Sequence, residues 1–338
     1  MSPNGHPALG KSEVRPSIAV LGDVAVDLTL DVPTFPRVGG DAFASSQRMG
    51  VGGCGTNAAI TLGRIGARPT LTANVGDDDW GRSAVASLVD EGVDVSAISY
   101  DPDTPTHLTL IIVSGDGERT MIGHRGSSAR VGPWQPLDRA IAGSHALLVS
   151  GYALFGEERA AQAIKAIHRS ALLGIPVILD LPTDLPTGIQ DLASGLLSEV
   201  RVLVVGGREI SDLTGIPNPS AAAESLATAT LTVIATLGAE GAIAIGPEGQ
   251  VRTTGHQVRV LDTTGSGDAF VAAFTASWLE GLALADAVAL ANAFGAAAAL
   301  KNGAGTAMPT PHDVLRLIDA TEPPSSEAAR WLQGVCRT

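Results

Sequence analysis

Cysteine is nearly absent from this chain: Cys54 and Cys336 are the two in 338 residues. Two thiols cannot build a disulfide framework or a cysteine metal centre. Aromatics are also scarce, at 4% of residues, while glycine and alanine abound. Helices must then pack closely on their neighbours rather than around large rings. Positive charge is short as well, with 22 Lys and Arg against 35 Asp and Glu, a net charge of −13 and a pI near 4.9. That balance excludes general nucleic-acid binding, which needs a basic face. It leaves a nucleotide ligand open, because backbone donors can hold phosphate inside an acidic protein. No apolar run approaches membrane-spanning length, and the first residues lack a signal-peptide core. The expectation is a soluble cytoplasmic protein with neither nucleic acid nor membrane as a partner.

Strand and helix patterns alternate along the chain. Ser17–Leu21 reads as a strand ending at Gly22-Asp23, Thr56–Ile65 as a helix closed by Gly66, Thr70–Val75 as a strand and Gly81–Glu91 as a helix stopped by Gly92. Strand-like runs at 146–150, 176–180, 202–205 and 231–236 alternate with helical ones at 157–173, 189–197 and 221–227. Two long helices close the pattern, at 267–280 and 283–300. Such alternation predicts an α/β fold with a mostly parallel central sheet between two helical layers, whose ligands sit at the carboxyl ends of the strands. Two segments break it: residues 28–51, and a hairpin of His107–Val113 and Arg119–His124 around Ser114-Gly115-Asp116-Gly117. The polar stretch 1–16 reads as a flexible tail, and 319–338 as a C-terminal tail.

The run Asp262-Thr263-Thr264-Gly265-Ser266-Gly267-Asp268-Ala269-Phe270 carries the most chemical information. The apolar segment Val258–Leu261 leads in as a strand, and a helix follows. The first free N–H groups of a helix point outward with partial positive charge, and glycines let a phosphate approach them. Asp268 lies at the same helix start. An anion site beside a carboxylate suits phosphoryl transfer, in which a base takes a hydroxyl proton while backbone donors hold the phosphoryl group. A plain tight turn with Asp268 as helix cap is the rival reading.

Residues 52–57, Gly-Gly-Cys-Gly-Thr-Asn, introduce a second glycine-rich helix start. Together the two motifs resemble the paired signatures of the ribokinase-like sugar kinases, the phosphofructokinase B type family, over roughly residues 17–318. The resemblance implies a ribokinase-like three-layer sandwich, with lid segments at about 28–51 and 104–125 forming a small β lid over the substrate. It implies Asp268 as the general base and Gly265, Ser266 and Gly267 as anion-hole donors. It places Asp27, Gly52, Gly53 and Asn57 around the substrate, with a solvated turn carboxylate and a helix cap as the rival readings of Asp27 and Asn57. It places Thr236, Gly238, Gly241 and Asn292 at ATP, Glu209 at Mg²⁺, and Asp262 and Thr264 at a monovalent cation such as K⁺; Asp180, at a strand end, is a further candidate at Mg²⁺. Two departures stand out: Gly206 replaces the family's Asn before Glu209, and Ala25 replaces an Asn found in some members.

Two other motifs mislead. Gly5-His6-Pro7-Ala8-Leu9-Gly10-Lys11-Ser12 fits the P-loop pattern, but no strand can precede it and Pro16 interrupts the helix that should follow. Gly50–Gly55 fits the dinucleotide fingerprint without the βαβ unit that fingerprint needs. The sequence therefore points to an ATP- and Mg²⁺-dependent kinase of a small sugar or sugar acid, with a possible homodimer through the lid edges. A nucleoside kinase, with Phe35, Phe43 or Tyr152 stacking the base, and a catalytically silent sugar-binding regulator remain the alternatives. Arg119, His124 and Arg125 are lid cations that could meet a substrate carboxylate or phosphate, and Cys54 is a candidate alkylation handle.

Overall fold

The computed structural model describes residues 15–116, 118–183, 187–320 and 326–337. The P-loop-like run at 5–12 and most of the stretch 1–16 lie outside the described residues. The first half of the chain contains β1 (Ser17–Leu21), β2 (Ala25–Val32), β3 (Ser46–Gly52), α1 (Cys54–Arg64), β4 (Arg68–Gly76), α2 (Asp79–Asp90), β5 (Asp94–Asp101), β6 (His107–Ser114), β7 (Arg119–His124), α3 (Trp134–Ala142), β8 (Ala146–Ser150) and α4 (Glu157–Leu172). The second half contains β9 (Val177–Asp180), α5 (Thr187–Leu196), β10 (Val202–Gly206), α6 (Gly207–Thr214), α7 (Pro219–Leu226), β11 (Thr232–Thr236), β12 (Ala242–Gly246), β13 (Gly249–Thr253), α8 (Ser266–Leu279), α9 (Leu284–Ala298), α10 (Pro311–Ala320) and α11 (Ser326–Val335).

Nine strands form one sheet in the order β13-β12-β11-β10-β9-β8-β1-β4-β5. Every pairing from β11 to β5 is parallel, and β12 and β13 add an antiparallel edge. The core follows from period-2 alternation. Ile18 and Val20 of β1 pack into one cluster while Ala19 and Leu21 pack into another, and β10 divides the same way between Val202, Val204 and Leu203, Val205. Helices cover both faces, which gives the three layers. On the first face α8 is buried at every position from Asp268 to Leu279. A helix apolar on all sides belongs in the interior, and its alanines let α1 and α9 approach closely.

The two segments that break the alternation build a separate four-stranded sheet, β3-β2-β6-β7. Asp27 pairs with Gly50 across β3 and with Thr109 across β6. Both edges, β3 and β7, are largely exposed.

Some expectations change. Val258–Leu261 forms no strand; after β13 the chain runs as an extended loop into the turn before α8. Gly50–Gly52 ends an antiparallel lid strand, so the dinucleotide reading fails on topology. The segment read as a C-terminal tail contains α11, whose Ala328 and Leu332 are fully buried. The Trp331 indole donates to Glu280 (2.6 Å). Strands β5, β12 and β13 and helices α3, α6 and α10 were not legible in the sequence pattern.

Candidate functional site

Parallel strands end together, so β1, β9, β10 and β11 deliver Asp23, Asp180, Gly206 and Thr236 to one edge of the sheet. The glycines of the 52–55 run bring α1 down onto the turn after β1. Gly53 has φ of 99°, and a Cβ there would stand 2.9 Å from the Asp23 carbonyl oxygen. A Cβ on Gly55 would stand 2.6 Å from the Gly22 Cα. The Asp23 carboxylate then accepts the Gly55 N–H (3.1 Å).

The two motifs meet in space. The Asn57 amide donates to Asp268 Oδ2 (2.7 Å), and its carbonyl oxygen accepts the Gly305 N–H (2.8 Å). Asn57 is therefore a bridge inside α1, and Gly53 holds the cap position. Asp268 is likewise not a cap. Gly265, in the left-handed region at φ 79°, caps α8, and Asp268 lies in the first turn, 7% exposed. Burial pushes its carboxyl up to about 7, against the bonds from Asn57 and Cys54 and with the charge of Asp23 adding to the rise. A carboxylate tuned in this way can exchange protons near neutral pH. Burial and then the charges of Asp268, Asp23 and Asp180 hold the Cys54 thiol well above its usual range. This corrects the alkylation expectation, since the thiolate is the nucleophile.

Asp27 lies on strand β2, half-buried, which removes the solvated-turn reading. Burial raises it to about 6, although the Thr109 hydroxyl bonds to it; Asp23 adds to the rise. A Cβ on Gly52 would fall 2.1 Å from Asp27 Oδ2, so only glycine leaves that carboxylate its place.

Beyond the turn, a cavity of about 250 Å³ opens between β11, the loop at 255–260, α8 and α9. Thr236, Gly238, Gly241, Ser266, Gly267 and Asn292 all line it. The buried Ser266 hydroxyl has no hydrogen-bond partner, an open demand that a ligand oxygen at this spot would meet. Val258, Val260, Ala296 and Ala299 supply an apolar wall.

The model of the pfkB family carbohydrate kinases matches residues 15–311. The chain belongs to that family. It is 27% identical to ribokinase of Haemophilus influenzae, over 90% of this chain and 99% of that protein. It is 31% identical to the ATP-dependent ribose-1-phosphate kinase of Halopiger xanaduensis, over 85% and 93%. Arabidopsis thaliana ribokinase, solved with ribose and ATP, superposes with TM-score 0.78 at 24% identity, covering 90% of this chain and 99% of that one. A structure from E. coli in complex with ATP and Mg²⁺ gives 0.79 at 19%, over 90% and 99%. These two likenesses establish the fold, a ribokinase-type α/β sandwich with a small separate sheet.

In this pfkB-family kinase the residues expected at metals separate into two cases. Asp180 and Glu209 lie at the strand-end edge. Burial and then the nearby Asp268 raise the Asp180 carboxyl well above its usual range. Glu209, 7% exposed, lies over the start of α6. Its Oε2 is 2.0 Å from where a Cβ on Gly206 would be, so the missing Asn side chain is what admits Glu209 there. Buried carboxylates of one sign fit a divalent cation that also holds waters and phosphates. Among the described residues no cluster of three or more acidic, His or Cys side chains could hold a metal alone.

Asp262 and Thr264 are different. The Arg119 guanidinium bonds to the Asp262 carboxylate and to Thr264 Oγ1 (2.6 Å). Asp262 also accepts Thr264 N (2.8 Å), Thr264 Oγ1 (2.6 Å) and Gly303 N (3.0 Å). The donor set expected at a monovalent cation is already taken by a cation of the protein, and a second positive charge does not fit it.

Arg125 donates to the Tyr152 carbonyl (3.2 Å) and lies 5.5 Å over the Phe155 ring. Phe35 and Phe43 are 42% and 88% exposed. Sequence reasoning missed Asp23, the free Ser266 hydroxyl and the 255–260 loop. Asp23 carried a usable signal, a carboxylate directly after the first strand.

Proposed function

We propose that this kinase transfers the γ-phosphoryl group of ATP to a hydroxyl of a small sugar or sugar acid, with Asp268 as general base. One observation carries the reading: the buried Asp268, held by Asn57 and raised to about 7, stands at the helix start that opens on the 250 Å³ cavity. The nucleoside part of ATP fits that cavity, which is smaller than the roughly 300–1,000 Å³ of a whole-ligand site. Its phosphates run out towards Gly267. The substrate is held by Asp27 and the open backbone at Gly52 and Gly53, and a carboxylate can accept two vicinal hydroxyls.

In the transfer the sugar O–H breaks and its proton passes to Asp268. The oxygen forms the new O–P bond, and the bond to the bridging oxygen breaks with its electron pair leaving on ADP. The N–H groups of Gly265, Ser266 and Gly267 and the Ser266 hydroxyl take the charge of the moving phosphoryl group. Glu209 and Asp180 would hold Mg²⁺ at the strand ends, and the ion would supply positive charge against the nucleotide phosphates. Arg125, beside Tyr152, is a candidate to meet the carboxylate of a sugar acid, because Arg matches carboxylate geometry. The exposed positions of Phe35 and Phe43 disfavour base stacking by the lid, and so a nucleoside substrate. Exposed Met49 and Ile122, on the face of the lid opposite Asp27, suit pairing of two lids in a homodimer. Among the described residues no helix is long and apolar enough to cross a membrane, consistent with action in the cytoplasm.

The test is ADP release with ATP and Mg²⁺ across sugars, sugar acids and nucleosides, beside Asp268→Asn. Turnover with a sugar or sugar acid that falls in the mutant supports the reading. Turnover with nucleosides alone makes this a nucleoside kinase. No turnover, with panel members still raising the melting temperature, makes it a binding protein.

A further inference from the structure

Arg119 is the first residue of β7 and pairs with Val113, at the hairpin end far from the sheet edge that bears Asp23. Directly opposed residues share one face of a sheet. Through Val113, Asp31 and the alternation of β2, Arg119 lies on the face of the lid that also presents Asp27 and Thr109. From there its side chain crosses to Asp262 and Thr264, the residues that lead into the Gly265 turn. The junction is partly buried, with the Arg119 and Asp262 side chains 31% and 13% exposed. The same carboxylate anchors Thr264 N and Gly303 N. One acidic residue thus ties together the lid, the turn before α8 and the loop after α9.

We propose that Arg119 is a positioning residue: its guanidinium supplies from the lid the positive charge that the 262–264 loop requires, so that closing the lid and setting the phosphate-binding turn are one event. The inference rests on the kinase reading above. Three consequences follow from the contacts. Turnover does not depend on a monovalent cation, because the Asp262 carboxylate and the Thr264 hydroxyl already hold a guanidinium. Loss of the guanidinium leaves Asp262 without its counter-charge and frees the far end of the lid. Lysine, a point charge without the planar fork, restores only part of the function.

The experiment measures ADP release by wild type, Arg119→Ala and Arg119→Lys in potassium chloride and in tetramethylammonium chloride at equal ionic strength. Wild type is expected to change by less than about twofold between the salts. Arg119→Ala is expected to lose about tenfold or more in kcat, the equivalent of one strong interaction in the transition state, and to recover in part with added guanidinium or K⁺. Arg119→Lys falls between the two. Wild type that requires K⁺, or an Arg119→Ala enzyme equal to wild type in both salts, overturns the proposal. Hydrogen exchange without substrate provides a second readout. Amides of 107–124 and 262–267 should exchange faster in Arg119→Ala while β8 to β11 stay protected, and unchanged exchange also overturns it. If wild type phosphorylates nothing, the kinase reading has failed, and the exchange result still decides whether the latch exists.

Discussion

At Asp268, the proposed base, three neighbours act on one carboxylate: Asn57, Cys54 and Asp23. Burial raises its pKa while Asn57 and Cys54 hold it by hydrogen bonds. On the proposed role Asp268 is competent only when ionised, so kcat/KM should rise with pH and level off above about 7. A rate that stays flat from pH 5 to 8 would remove Asp268 from the role. Asp268→Asn keeps the bond from Asn57 and should lower kcat by about 10²–10⁴, the usual contribution of a general base. The same substitution should stabilise the unliganded protein. At pH 8 the native state must hold a buried negative charge, which Asn avoids, so denaturant unfolding should give the mutant about 1–3 kcal/mol more stability. Near pH 4, where Asp268 is protonated when folded, the gain should vanish.

At the level of elements, the site exists because glycines let backbone and side chains come closer than a Cβ allows. A methyl at position 52 would displace the Asp27 carboxylate. Gly52→Ala should therefore raise the sugar KM by about 10–100-fold, the equivalent of a steric cost of about 1–3 kcal/mol, with ATP affinity little changed. A matching change in the ATP KM would mean that the helix start had moved as a whole. Gly206 acts the same way on Glu209 at the start of α6. Gly206→Ala should raise the Mg²⁺ concentration for half-maximal rate several-fold, about the effect of misplacing one supporting contact of a metal site, while circular dichroism stays native.

At the level of the whole molecule, the carboxylates divide into two groups with opposite pH behaviour. Asp27 and Asp268 have folded values near 6 and 7, above the unfolded value of about 3.9. Their contribution to stability is full below about 4 and is lost as pH rises through 6 and 7. Asp262 and Asp313 are held low. Burial opposes their charge, but Thr264, Gly303 and Arg119 outweigh it at Asp262, and Lys301 and Thr310 do so at Asp313. Their contribution is present above about 3.9 and is lost as pH falls through their folded values. The unliganded protein should be most stable between about pH 4 and 6, below its working range. A melting temperature that climbs steadily from pH 5 to 8 would contradict this assignment. The pattern is that of a site whose charges await a cationic or hydrogen-bonding ligand.

The alternation of strand and helix was legible because burial on both faces of a parallel sheet produces short Val, Ile and Leu runs such as Val202–Val205. The second glycine motif and the Gly265–Asp268 turn were legible because special backbone conformations demand glycine. Strands β12 and β13 were hidden by their glycine-rich ends, and α11 by its shortness, 10 residues behind a run of Pro and Ser. Val258–Leu261 misled because an apolar run lining a cavity reads like an apolar run filling a sheet.

The sequence by itself determined the family and the layered fold and singled out Asp268, Asn57, Asp27 and Ser266 as candidates, because local patterns and short motifs are written in consecutive residues. Only the tertiary structure decided that Asn57 holds Asp268, that Gly206 admits Glu209 and that Arg119 meets Asp262. Those contacts join residues up to 211 positions apart, and whether two side chains meet depends on how the layers pack.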